Sequence, residues 1–399
     1  MSRLWITSVC AAAMLATSSF CAAQEVPALD PNLKINELQV LGTHNSYALP
    51  ADPHLIAEFE KRIGGGSLRS FLDKMPPHER ALFQEEHPND VTMSEALNYR
   101  HPSITDQLNG GLRSLEIDVN PDPQGGHFLD PAGYRYLRAQ GVTDLIPFDA
   151  TDMDKPGFKV MHIPDVDFRS HCTTLKICLT QIKTWSDAHP KHVPLFLLIE
   201  AKSQAVPMFP GATTEPPFDA AAFDALDKEF LAVFPRHQII TPDDVRGHYP
   251  TLRDAVHAHH WPKLKDARGK VMFMMLTAHG KSGTEAYIDG HPSLRGRIAF
   301  LRSDVNDDYG AFLLYDNAIA RKAEIEAAVK AGYFVRVRSD IETYEAKVND
   351  MTRASTAFAT GAQVVSTDFF RPGNVYGTSY VVQLPGGEVA RVSPAFKTK

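Results

Sequence analysis

Short, continuously apolar runs recur along the chain, and most are separated by enough residues to hold a helix. They are LQVLG (38–42), RSLEIDV (113–119), FKVMH (158–162), LFLLIEAK (195–202), KVMFMML (270–276), AFLLYD (311–316), YFVRVRS (333–339) and AQVVSTDF (362–369). Runs of this length that are apolar on both faces are expected for parallel strands buried on both sides. Between several of them the pattern turns helical. CLTQIKTWSDAH follows the third run, FDAAAFDALDKEFLAVF follows the fourth, KAEIEAAVKAG precedes the seventh and EAKVNDMTRASTAFATG precedes the eighth. This alternation predicts an α/β fold, and eight runs fit a TIM-type (β/α)8 barrel, with distortion allowed. The longest stretches without periodicity, 48–102 and 120–157, follow the first two runs, and 202–216, rich in Pro and Gly, follows the fourth. In a barrel these are large insertions over the face where the strands end.

Residues 1–23 read as a secretory signal: Arg3, an apolar and small-residue stretch, then Cys21-Ala22-Ala23 as a cleavage site. Residues 24–399 are then expected to form one barrel domain, exported to the periplasm or the medium. No later stretch reaches the roughly 18 consecutive apolar residues of a spanning helix. The net charge of −7 argues against nucleic acid as a partner. A monomer is expected. Cys172 and Cys178 remain after cleavage, and an oxidising compartment allows them to pair. On a straight helix their Cα atoms would lie about 9 Å apart, so a bridge requires a turn between them; two free thiols remain the alternative.

Polar side chains concentrate where the first four runs end. THNSY closes the first run. Glu116 and Asp118 are two apart on the second and face the same way; His162 ends the third; Glu200 ends the fourth, with Lys202 on its face. Two carboxylates buried together need a cation or donors. Carboxylates with an Asn carbonyl suit a hard cation, calcium or magnesium, whereas zinc would favour histidine or cysteine. Two histidines beside such a cation suit acid and base work in phosphoryl transfer.

GTHNSY, EID, MH and IEAK, in that order, resemble the catalytic half of the calcium-dependent phosphatidylinositol-specific phospholipases C, in particular their secreted bacterial members. GKVMFMML, GYFVRVRSD and AQVVSTDF are similar to the remaining strands of that group, with 48–102 the least diagnostic stretch. The resemblance implies that Asn45, Glu116, Asp118 and Glu200 hold Ca2+ and that His44 and His162 are the catalytic pair. It implies attack of the inositol 2-hydroxyl on its own phosphodiester, giving diacylglycerol and a cyclic inositol phosphate, with transient contact to a membrane surface. Metal-independent relatives carry an arginine in place of the metal; this chain keeps its carboxylates. Lys202, Arg336 and Arg338 are expected to contact phosphate and Asp368 a substrate hydroxyl, although the two arginines also suit bridges to carboxylates inside the barrel.

Three other readings remain. A glycerophosphodiesterase-like barrel acting on soluble diesters also uses a Glu-x-Asp pair and two histidines, but typically begins His-Arg where this chain has His44-Asn45. A glycosidase could use Glu116 and Glu200 but would leave the histidines without a purpose. An exported binding protein for inositol phosphates or polyols would bind without turnover.

Overall fold

Apolar runs become strands here, but the barrel does not use all the runs that predict it. The computed structural model describes residues 29–63, 77–203, 207–278 and 280–397; the expected signal at 1–23 lies outside them. The strands are β1 (Leu38–Thr43), β2 (Ser114–Asp122), β3 (Gly157–Val160), β4 (Leu195–Ala201), β5 (Ile239–Ile240), β6 (Val271–Thr277), β7 (Phe300–Leu301), β8 (Phe312–Asn317), β9 (Phe334–Arg338), β10 (Val364–Thr367) and β11 (Arg391–Val392). Parallel pairing runs β8-β9-β10-β1-β2-β4-β6, and β6 carries β5 along its first half and β7 along its second. β7 meets β8 through the bridge Arg302–Phe312, where Ser303 N donates to Phe312 O at 3.1 Å. The fold is thus a distorted TIM-type barrel, with its thinnest seam between β7 and β8.

The third run is not a barrel strand. β2 is longer than its parallel partners, and its last residues, Val119–Asp122, project past the rim and pair antiparallel with β3, Val119 opposite Val160. Lys159 in the middle of that run is fully buried on Asp122, 3.1 Å away. An ammonium among apolar neighbours was the sign that the run is not an ordinary barrel strand. Its place in the ring is taken by β7, whose two ladder residues are too few to stand out in the sequence.

The helices follow their caps. Thr174 opens Leu175–Ala188 by accepting from Ile177 N at 3.3 Å, and Asp219 opens Ala220–Val233 by accepting from Ala222 N at 2.9 Å. Cys172 lies before the first of these caps and is bonded to Cys178 inside that helix, which supplies the turn that pairing requires. The helix expected across 345–361 is broken into Tyr344–Val348 and Thr352–Ala359. Asn349 takes a left-handed φ of 56°, and Asp350 Oδ1 accepts from Thr352 N at 2.8 Å, starting the second piece.

Inside the barrel the lower level is apolar, with Phe196 and Phe334 4.7 Å apart across it. The upper level is charged, because Glu116, Asp118, Glu200, Arg336 and Arg338 continue the same inward faces. β1 and β2 must approach closely for this. A Cβ on Gly42 would lie 2.6 Å from Ser114 Cβ and 2.9 Å from its carbonyl oxygen. Gly42→Ala is therefore expected to force the two strands apart and destabilise the fold by about 1–3 kcal/mol, read as a lower chemical-denaturation midpoint; an unchanged midpoint would show that the contact is not limiting.

Candidate active site

THNS, the polar end of β1, folds as a clamp. Thr43 Oγ1 donates to Gln107 Oε1 at 2.6 Å and lies 2.7 Å from Ser46 Oγ. Ser46 Oγ accepts from Glu116 N at 2.8 Å, and Ser46 N donates to Glu116 O at 2.9 Å. Gln107 Nε2 closes the loop on Ser46 O at 2.6 Å. Thr43 and Ser46 thereby fasten the turn to β2 and put Asn45 at a φ of 44°, a conformation that Asn tolerates better than most residues.

Asp118 and Glu200 sit opposite each other in the parallel register of β2 and β4. Ligand oxygens of Glu116, Asp118 and Glu200 all lie within 4.8 Å of one another. Lys202 Nζ is 3.0 Å from Glu200 Oε1 and 3.5 Å from Asp118 Oδ2. Burial raises the Glu200 pKa, but the Lys202 ammonium together with His162 and His44 outweighs it and the net shift is downward. Asp118 differs: burial, then the Glu200 charge, push its carboxyl well above the usual carboxylate range. Tyr47 and Lys202 pull it down only in part, and neither Asp118 oxygen has a well-formed hydrogen bond.

Asn45 Oδ1 is likewise buried and unpartnered, while its Nδ2 donates to the Tyr99 hydroxyl at 2.7 Å. Orphaned hard oxygens beside three carboxylates fit a divalent hard cation. Among the described residues this trio is the group of carboxylate, histidine and cysteine side chains arranged to hold a metal; the histidines at 257–260 do not form one.

Each expected catalytic histidine is held by a carboxylate. His44 Nδ1 lies 3.3 Å from Asp368 Oδ1, just past the end of β10, at ion-pair distance but without hydrogen-bond alignment. His162 Nδ1 lies 3.0 Å from Asp167 Oδ2, across a tight turn in which His162 N donates to Asp167 O at 3.2 Å. With Nδ1 so engaged, Nε2 is the nitrogen left for chemistry. The antiparallel return of β3 brings His162 back toward Asp118, and charge on His162 or His44 lowers the Glu200 pKa, so both stand near the trio. Against the upward pull of burial, His44, His101 and Arg338 hold Asp368 well below the usual carboxylate range.

The two arginines differ. Arg336 Nη2 contacts Glu116 Oε2 at 2.6 Å and Nη1 contacts Asp316 Oδ1, so both ends of its fork are engaged by carboxylates. A bulge in β8 between Tyr315 and Asn317 offsets Asp316 from the β8–β9 ladder. Arg338 Nη2 contacts Asp368 Oδ2 at 3.2 Å and its buried Nε has no partner, leaving donors for a ligand.

Sequence reasoning did not single out Asp167, Asp316, Asp340, Tyr99 or His101. Asp167 stands five residues after His162 in HIPDVD, and Asp316 ends a strand run, so both carried a weak signal. Asp340 accepts from Asp368 N at 2.8 Å, and burial raises its pKa to about 6.

A sequence profile of the family described as "Phosphoinositide phospholipase C, Ca2+-dependent" matches residues 33–394. No curated protein matches the chain. Among solved structures, the chain is similar to a calcium-dependent phosphoinositol-specific phospholipase C from a Gram-negative Pseudomonas species. That likeness has a TM-score of 0.51 and 16% identity over 92% of this chain and 98% of that one. A Ca2+-dependent phosphatidylinositol-specific phospholipase C from Streptomyces antibioticus is similar at a TM-score of 0.50 and 16% identity, over 86% and 98%. At these identities the two structures support the fold.

Calcium is expected to raise the melting temperature by a few degrees over chelator-treated protein, since binding at one hundred times Kd contributes about 2.7 kcal/mol. Asp118→Asn should lose most of that shift; an Asp118→Asn protein stabilised as much as the parent would place calcium elsewhere.

Proposed function

The chain belongs to the calcium-dependent phosphoinositide phospholipase C family, and from that premise we propose how its residues divide the work. The reaction is cleavage of the glycerol-phosphate ester of an inositol phospholipid. The observation that carries the reading is the placement of two carboxylate-held histidines around a carboxylate trio with unpartnered oxygens.

Asn45 Oδ1, Glu116, Asp118 and Glu200 are the ligands proposed for calcium, which when bound acidifies a substrate hydroxyl and offsets charge on the phosphoryl oxygens. Of the histidine pair, His44 accepts the proton of the inositol 2-hydroxyl as it attacks phosphorus. The other delivers a proton to the departing glycerol oxygen. Asp368 and Asp167 keep the protons of these rings on Nδ1 and stabilise the charged form each ring passes through. Arg336, engaged at both ends, orients Glu116, whereas Arg338 and Lys202 offer cations to the phosphate. Asp368, committed to His44 and Arg338, serves the base and is less available to a substrate hydroxyl.

A bilayer substrate is supported by exposed apolar side chains beyond the C-terminal ends of barrel strands: Ile319 after β8, Val348 and Met351 after β9, and Val375 after β10. Export is supported by the signal-like pattern of residues 1–23 and by the Cys172–Cys178 disulfide, which suits an oxidising compartment.

The test is release of water-soluble inositol phosphate from phosphatidylinositol vesicles by the mature protein. Release is expected with calcium and not with excess chelator. Cleavage of glycerophosphoinositol alone would move the substrate to soluble diesters, and silence on both would favour binding without turnover. His162→Ala is expected to lower turnover by about 10²- to 10⁴-fold while keeping the calcium-induced rise in melting temperature; turnover at the parental rate would remove His162 from the proton path.

A further inference from the structure

We infer that the segment Tyr99–His101, in a part of the chain with no recognisable motif, positions the metal ligand Asn45 and the base His44. The inference rests on the proposed role of Asn45 toward calcium.

An asparagine side chain is an ambiguous ligand, because rotation by half a turn presents Nδ2 where Oδ1 stood. An N–H directed at a cation is repulsive, so the ligand needs a device that fixes its orientation. Tyr99 supplies one. Its buried hydroxyl lies 2.7 Å from Asn45 Nδ2, and the opposite atom, Oδ1, is buried without any partner. Were the amide reversed, Oδ1 would be used up on a hydroxyl that the surrounding carboxylates also attract, and Nδ2 would be left unsatisfied. The clamp formed by Thr43 and Ser46 fixes the Asn45 backbone but leaves its terminal torsion free, and the Nδ2 contact to Tyr99 holds that torsion with Oδ1 on the opposite side.

Two residues further on, His101 braces the neighbouring side. Its Nε2 lies 2.7 Å from the His44 carbonyl oxygen and 3.4 Å from Asp368 Oδ1. A carbonyl can only accept, so Nε2 carries the proton and donates it to the His44 backbone, with the ring packed beside the carboxylate that faces the His44 ring. The strap is itself tied down, since His101 N donates to Ala48 O at 3.1 Å and His171 Nε2 lies 2.8 Å from His101 O. Tyr99 therefore acts on the metal ligand and His101 on the base, and the two effects separate in experiment.

The test is calorimetric titration of chelator-treated protein with calcium, without substrate, for the parent, Tyr99→Phe, Asn45→Ala and the double variant. Tyr99→Phe keeps the ring's volume and should leave the melting temperature of the calcium-free protein close to the parent's. It is expected to weaken calcium binding by about five- to tenfold, the equivalent of one hydrogen bond. In the Asn45→Ala background the same change should have little further effect, because the effect passes through Asn45. His101→Ala should leave calcium affinity unchanged and lower kcat, and His101→Gln, whose amide can donate as Nε2 does, should restore much of it. A Tyr99→Phe protein that binds calcium like the parent would overturn this inference alone, as would an equal loss in the Asn45→Ala background. A parent chain that binds no calcium would overturn the metal reading and this inference with it.

Discussion

Asp118 is a fully buried carboxyl with a second carboxylate opposite it in register and no hydrogen bond of good geometry to either oxygen. Removing a carboxylate from water costs several kcal/mol even after the protein relaxes, and a neighbouring negative charge raises that cost. Most of the upper barrel level answers this constraint. Lys202 approaches Asp118 and Glu200 from the end of β4, and Arg336 spans Glu116 and Asp316. These cations leave Asp118 short of compensation, which is the condition under which a divalent cation binds well.

The same economy of charge extends to the histidines. An imidazole that gains and loses a proton needs one nitrogen facing a partner and the other free, and Asp368 and Asp167 stand beside Nδ1 of His44 and His162 in that way. Asp368 is shared among His44, His101 and Arg338, and its own backbone N–H donates to Asp340 Oδ1. A carboxylate so surrounded stays ionised in spite of burial and has little freedom to rotate. The geometry of the two histidines is thus set by buried polar contacts.

Several elements were legible because they depend on local pattern. The apolar runs of β1, β2, β4, β6, β8, β9 and β10 stood out from loops, and the two-residue spacing of Glu116 and Asp118 put both on one face whatever the tertiary structure. Where the reading missed, longer-range contacts had decided the outcome. FKVMH looked like a barrel strand, yet Lys159 found its counter-ion on the projecting end of β2 and drew the run out of the ring. β7 is a barrel strand by virtue of its neighbours, since two ladder residues carry no periodicity.

By itself the sequence determined the class of fold, the candidate residues at the strand ends and the family, because strand faces and strand-end chemistry follow from residue spacing along one chain segment. Only the tertiary structure decided which carboxylate each cation meets, why Arg336 is committed to Glu116 and Asp316 while Arg338 retains a free donor, and how Tyr99 and His101 come to touch Asn45, His44 and Asp368. Among them, Arg336 and Glu116 stand 220 positions apart. Hydrogen bonds and ion pairs depend on distance and angle in space, and spacing along the chain specifies neither once the partners lie on different elements.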